Sequence, residues 1–144
     1  MKTAITSLLL SLFLLTGCEK DKVVDDAELP GTAKEFIETH YPDATIKQVV
    51  KEREDLRNTY DVILDNQVKL SFENSGACYE AESTNTLKLP DSMIPTNVLE
   101  YVAKNYPEAF IIEWDKDKTD QEIKLNTNVE LIFNLSGGFL RVDK

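Results

Sequence analysis

His40-Tyr41-Pro42-Asp43-Ala44 returns later in the chain as Asn105-Tyr106-Pro107-Glu108-Ala109, and the residues around the two pentapeptides keep step. A shift of 65 positions carries Thr32, Glu35, Phe36, Ile37, Tyr41, Pro42, Ala44 and Ile46 onto Asn97, Glu100, Tyr101, Val102, Tyr106, Pro107, Ala109 and Ile111. Farther along, the shift becomes 61, and Val68, Leu70, Phe72, Ser75, Gly76, Tyr79 and Ala81 fall on Val129, Leu131, Phe133, Ser136, Gly137, Leu140 and Val142. Two blocks that agree in spacing as well as residue type mark a duplicated supersecondary unit, with a short loop deletion between the blocks.

Each copy opens with a helix. Thr32 stands three residues before Glu35, and Asn97 three before Glu100, the spacing of a capping box in which the first side chain accepts from an orphan N–H. Ala33, Phe36, Ile37 and Tyr41 fall on one helical stripe, as do Val98, Tyr101, Val102 and Tyr106, so each helix is expected to lie on an apolar surface. The helices are expected to stop at Tyr-Pro, because proline disfavours helical geometry in the residue before it and brings no N–H.

Period-two alternation follows: Val62 and Leu64, then Val68, Leu70 and Phe72, then Tyr79 and Ala81, with turns at Asp65-Asn66-Gln67 and Asn74-Ser75-Gly76. The second copy repeats this with Ile123 and Leu125, Val129 to Phe133, then Leu140 and Val142. Short polar turns make neighbouring strands antiparallel. With the segments after Tyr-Pro (45–51 and 110–116), the expectation is an α+β fold of two tandem repeats, each a helix packed on one face of a four-stranded antiparallel sheet. The first repeat spans 29–88 and the second 89–144. A unit of this size buries only about 60% of its unfolded surface, so the two should pack together.

Residues 1–17 read as a secretory signal: Lys2, an apolar run from Leu8 to Leu15, then Thr16-Gly17. Leu15-Thr16-Gly17-Cys18 resembles the lipobox of bacterial lipoproteins, which implies cleavage before Cys18, lipidation of its sulfur and attachment to a membrane; two or more acyl chains give stable anchoring. The expected location is the cell envelope, at the outer membrane, facing the periplasm or the surface. Residues 18–28 are expected to form a flexible charged tether. Lys20-Asp21 beside Glu19 resembles an export signal of Bacteroidetes surface lipoproteins, and Asp91-Ser92-Met93 an O-glycosylation acceptor of that phylum.

The formal net charge is -10, which repels phosphate backbones and argues against nucleic-acid partners. With Cys18 lipidated, Cys78 is the remaining thiol, expected to pack as an apolar group, with an intermolecular disulfide as the alternative. His40 has Asn105 in its place in the other copy, which argues against a repeated catalytic use. No HExxH, GxSxG or phosphate-cradling glycine loop occurs, so no enzyme, cofactor or metal is expected. Asp115, Asp117 and Asp120 resemble a calcium loop superficially, but Asp120 and Asn126 occupy the positions where such a loop needs Gly and Glu, and the segment reads as a solvated hairpin tip.

Two copies of helix, Tyr-Pro and meander behind a lipobox resemble the PepSY-like family related to beta-lactamase inhibitor proteins, over Leu29 to Lys144. The resemblance implies a binding role: related inhibitors grip an enzyme with a concave sheet surface, and PepSY modules of protease propeptides restrain the protease. Strict alternation sends Ile63, Lys69, Ser71, Glu73 and Cys78 to the helix-free face, with Lys124, Ile132, Phe139 and Arg141 in the second copy. Ile132 and Phe139 then form an apolar patch, either a partner surface or a region covered by the other unit or a second molecule. Trp114 is either core or a further anchor. The leading expectation is a protein that occludes an envelope partner, such as a hydrolase, through Ile63, Trp114, Lys124, Ile132, Phe139 and Arg141. The alternative is a lipoprotein that binds a small ligand or divalent cation through its acidic loops.

Overall fold

A computed structural model describes residues 21–54, 57–84 and 86–143; the signal segment, the lipobox and Cys18 lie outside these residues. The strands are β1 (Asp21–Val24), β2 (Ile46–Glu54), β3 (Arg57–Leu64), β4 (Val68–Glu73), β5 (Cys78–Ser83), β6 (Ile111–Lys116), β7 (Asp120–Leu125), β8 (Glu130–Asn134) and β9 (Phe139–Asp143). Helix α1 (Gly31–His40) joins β1 to β2, and α2 (Thr96–Asn105) joins β5 to β6.

All nine strands form one sheet in chain order, and every neighbouring pair is antiparallel. This corrects the expectation of two units with a four-stranded sheet each: the protein is mostly β, a single sheet with two short helices. β5 pairs with β6 through Glu80↔Asp115, Ala81↔Trp114 and Glu82↔Glu113. Separate sheets would leave the backbone N–H and C=O groups of both strands unpaired at an edge, and merging them removes those edges. β1 plays the same part for the first half, pairing Val24 with Val49 and Val23 with Val50. Most of the stretch expected to be a flexible tether is therefore ordered: after β1, Asp25 caps a short 3₁₀ turn at Asp26–Glu28 by accepting from Ala27 N–H.

A straight apolar row crosses the whole sheet on the helix side: Val24, Val49, Val62, Leu70, Ala81, Trp114, Ile123, Leu131 and Val142. Both helices lay their apolar stripes on this side, α1 through Ala33 and Ile37, α2 through Val98 and Val102. The copies even repeat an aromatic contact: Phe36 meets Phe72 edge-on at 5.7 Å, and Tyr101 meets Phe133 edge-on at 5.3 Å.

The helix starts differ from the capping-box expectation. Pro30 and Pro95 occupy the N-cap positions without a side-chain cap. Thr32 Oγ1 instead donates to the Ser75 carbonyl (2.7 Å), and Asn97 Nδ2 to the Ser136 carbonyl (3.2 Å). Each thus staples its helix to the following hairpin turn. The turns come close because Gly76 and Gly137 sit at φ +85°; a Cβ on Gly76 would fall 1.9 Å from Thr32 Oγ1, and one on Gly137 2.9 Å from Asn97 Cβ. The helices end at Tyr-Pro as expected: Tyr41 and Tyr106 N–H donate to Ile37 and Val102 carbonyls, and Ala44 and Ala109 N–H close a tight turn onto the tyrosine carbonyls. Tyr41 is buried and donates its hydroxyl to Met93 Sδ at 3.2 Å, while His40 Nδ1 lies 2.8 Å from Ser92 Oγ. The first Tyr-Pro corner is thereby fastened to the connection between the halves.

Candidate partner-binding face

The side of the sheet without helices carries two registered rows. One runs Val23, Val50, Asp61, Ser71, Glu80, Asp115, Glu122, Ile132, Arg141. The other runs Gln48, Ile63, Lys69, Glu82, Glu113, Lys124, Glu130, Asp143. Carboxylates outnumber cations, and at the seam between the halves they stand directly opposite one another: Glu80, Asp115 and Glu122 in one row, Glu82 and Glu113 in the other. Like charges placed opposite on a sheet destabilise it.

Two lysines offset part of this repulsion. Lys69 Nζ lies 3.0 Å from Asp61 and 3.9 Å from Glu80; Lys124 Nζ lies 3.0 Å from Glu113 and 3.9 Å from Glu130. Burial disfavours the charged form of Lys69, but Asp61, Glu80 and Glu52 outweigh it and hold its proton more firmly than usual. The hydrogen bond to Glu113, then its charge, does the same for Lys124. Ser71 is fully buried, with its hydroxyl 2.7 Å from Asp61 Oδ1 and 3.0 Å from Glu80 Oε2.

Asp115 and Glu122 receive no such help. Among the described residues neither has an ion pair with a lysine or arginine. Partial burial, then the charges of Glu80, Asp117 and Glu113, push the Asp115 carboxyl above its usual range. Glu122 is pushed up by burial, then by Glu130, Asp143, Asp115 and Glu113. These residues and Lys124 line a depression of about 140 Å³ with Glu80 and Glu113. Four carboxylates against the single ammonium of Lys124 leave the lining net negative, so the depression attracts ammonium and guanidinium groups. Among the described residues, no group of three or more His, Cys, Asp and Glu is arranged to hold a metal ion.

The residues expected as partner contacts fall in three places. Ile63, Lys124 and Arg141 stand on the helix-free face, Ile63 partly exposed between Gln48 and Lys69. Ile132 is on this face but only 3% exposed, so it presents no apolar patch. Trp114 and Phe139 point the other way. Trp114 is buried in the core, donating Nε1 to Gln121 Oε1 at 2.9 Å, while Gln121 Nε2 donates to the Asn134 carbonyl.

Phe139 stacks on Tyr101 of α2, with ring centroids 4.4 Å apart and planes 12° apart. Its expected orientation is corrected by a bulge. Ile132 pairs with Arg141, yet Phe133 pairs with Phe139, so Leu140 is an extra residue and the alternation flips. The first half has the same bulge at Tyr79, between Ser71↔Glu80 and Phe72↔Cys78. Cys78 is thereby also corrected to the helix side, packed against the core, where burial pushes its thiol up to about 12. Such a thiol carries little thiolate, the reactive form.

Glu80, Glu113 and Glu122 do not stand out in the sequence beside the apolar anchors, and Asp115 reads there as part of a solvated hairpin tip. Their signal is alternate acidic positions, Glu113 and Asp115 on one strand and Glu80 and Glu82 on another. Only the β5–β6 register shows that they converge. Asp117 belongs to the β6–β7 hairpin tip, where its N–H bonds the Asp120 carbonyl and its carboxylate accepts from Lys118 N–H.

Comparison with known proteins follows this architecture. The model of the family described as "Putative beta-lactamase-inhibitor-like, PepSY-like" matches residues 15–78 and again 58–141. Among solved structures, a "putative periplasmic protein" from Bacteroides vulgatus is 33% identical, covering 89% of this chain and 100% of its own, with a TM-score of 0.81. A "putative calcium-regulated periplasmic protein" from Bacteroides thetaiotaomicron is 30% identical with the same coverage and a TM-score of 0.83. A further Bacteroides vulgatus protein, described as a "putative periplasmic protein of unknown function", is 25% identical over 86% of this chain and 99% of its own, with a TM-score of 0.81. No curated protein sequence matches the chain.

Proposed function

Because the chain belongs to the PepSY-like, beta-lactamase-inhibitor-like family, we propose that it is a non-enzymatic periplasmic binding protein that holds a basic protein surface against its helix-free face. The observation that carries this reading is the seam of opposed carboxylates, Glu80, Asp115 and Glu122 beside Glu82 and Glu113. A fold that tolerates this repulsion when empty recovers it when a partner's lysine or arginine enters. A broad sheet face suits occlusion of a partner, and the inhibitor-like family description is compatible with that reading. The periplasmic setting is supported by the similar Bacteroides proteins, and Cys18 is the residue we assign to a lipid anchor in the envelope.

The test is capture from periplasmic extracts with the chain carrying Asp115→Lys and Glu122→Lys. A control carries Glu35→Lys and Glu100→Lys, the same change in net charge on the two helices, where both residues are exposed. Capture of a basic protein lost with the first pair and kept with the second is the expected result. Equal capture by both would overturn the assignment of the face. Divalent cations form the second reading, favoured by the similarity to a protein described as calcium-regulated. Calorimetric titration with calcium decides it: heat that disappears in the Asp115→Lys, Glu122→Lys chain supports the cation, and no heat removes it.

A further inference from the structure

The internal repeat indicates what the free edge of β9 is made to meet. β9 is the second-half counterpart of β5, with Glu80, Ala81 and Glu82 corresponding to Arg141, Val142 and Asp143. β5 is bonded on both sides, to β4 and to β6, whereas among the described residues β9 pairs only with β8. Sheet edges of this kind are commonly guarded by lysine, proline or a bulge. β9 has neither lysine nor proline. Its bulge at Leu140 is no guard, because β5 carries the equivalent bulge and still accepts β6 on its outer side. Exposed large apolar side chains gather here as well: Leu140 and Val142 on the strand, Phe139 at its start and Leu135 in the turn before it. The opposite edge, β1, carries a lysine, Lys22.

We infer that the β9 edge pairs with β9 of a second copy of this chain, antiparallel, with Val142 on the two-fold axis. Antiparallel pairing about Val142 sets Arg141 opposite the second copy's Asp143, and Asp143 opposite its Arg141. Both residues lie in the rows of the helix-free face, so the two ion pairs form on one side of the extended sheet and the two Val142 side chains meet on the other. A strand that is complementary to itself when reversed suits an isologous contact. Pairing one residue earlier would instead set Arg141 against Arg141, a like-charge repulsion that selects the Val142 register. The joined sheet places two acidic faces side by side, but the inference does not depend on what those faces bind.

Sedimentation velocity of the purified full chain over a concentration series tests it. The wild type is expected to show a monomer–dimer equilibrium. Arg141→Asp alone and Asp143→Arg alone each create two like-charge pairs and should weaken dimerisation by about tenfold or more. The double variant restores both pairs in reversed order and should return dimerisation to within about threefold of wild type by the same arithmetic. Far-ultraviolet circular dichroism checks that each variant is folded, and the double variant's recovery separates lost pairing from lost folding. A wild type that stays monomeric throughout the series, or dimers indifferent to both single reversals, would overturn the proposal.

Discussion

The two halves share their strands, bulges and helix staples, yet at equivalent positions of the helix-free face they carry different chemistry. Asp61, Lys69, Ser71 and Glu80 of the first half correspond to Glu122, Glu130, Ile132 and Arg141 of the second. In the first half the buried Ser71 hydroxyl and the Lys69 ammonium both reach Asp61, at 2.7 Å and 3.0 Å. In the second, a buried isoleucine stands beside Glu122, and a glutamate occupies the place of the lysine. Duplication kept the frame while one half satisfied its charges internally and the other left carboxylates in want of a cation. That difference places the carboxylates without a paired cation at the seam and in the second half, where the proposed partner would dock.

The largest predicted effect tests whether the shared frame is equally tight in both halves. Gly76→Ala forces a Cβ to 1.9 Å from Thr32 Oγ1 and 2.9 Å from the Ala33 nitrogen, whereas Gly137→Ala meets only side-chain atoms, the nearest at 2.9 Å. Both positions add the cost of a left-handed φ. Denaturant unfolding should show a loss of about 4 kcal/mol for Gly76→Ala and about 2 kcal/mol for Gly137→Ala. Equal losses would mean that the helix yields as easily in one half as in the other.

Exchanging the two buried outer residues comes next. Ile132→Ser removes a side chain that is 3% exposed and should cost about 3 kcal/mol through the cavity and the unpaired hydroxyl. Ser71→Ile takes a donor from Asp61 and Glu80 and should cost about 2 kcal/mol. Guanidinium titrations of both variants check these values. A neutral Ser71→Ile would show that Lys69 alone satisfies the first half.

The local features of this fold were legible in the residues, and the lateral ones were not. Helix stripes, the Tyr-Pro stops and the hairpin turns depend on spacing within one segment, so Ala33, Ile37, Val98 and Val102 were placed correctly. A bulge is defined only against the partner strand, and nothing in Cys78-Tyr79-Glu80 or Phe139-Leu140-Arg141 by itself marks the extra residue. Thr32 and Asn97 have the chemistry of caps, but a tertiary acceptor, the hairpin carbonyl, engages both side chains. β1 escaped notice because Asp21-Lys22 looks solvated and its strand character comes from pairing with β2. The acidic seam was hidden for a related reason: Glu80 and Asp115 are far apart in sequence, and each alone looks like an ordinary outward charge on a strand.

Carboxylate neutralisation should have opposite signs in the two halves. Asp61→Asn weakens the bond from Ser71 and removes the ion pair to Lys69, so about 1 kcal/mol should be lost. Asp115→Asn removes a charge set against Glu80 and Glu122, so about 0.5 kcal/mol should be gained. The gain in stability should accompany weaker capture of the basic partner. A loss in both variants would show that Asp115 is as well satisfied as Asp61 and would dissolve the distinction between the halves.

The smallest effect is a pH dependence. A carboxyl whose folded pKa is raised takes up protons in the native state while the unfolded chain is still ionised, so stability falls as pH rises through the interval above its ordinary value. Asp115 and Glu122 are such groups, raised from 3.8 and 4.5 mainly by burial. Asp65 works the other way: hydrogen bonds from Thr45, backbone first and then side chain, hold its carboxyl below 3.8. Its contribution is present above the ordinary value and is lost as pH falls through the folded one. The two windows lie on opposite sides of the ordinary carboxylate range, so the melting temperature should climb as pH falls toward that range and fall again once pH drops below it. The Asp115→Asn, Glu122→Gln chain should keep the acid-side fall and lose the climb. A climb that survives those substitutions would trace the repulsion to the net charge of the whole molecule instead of the seam.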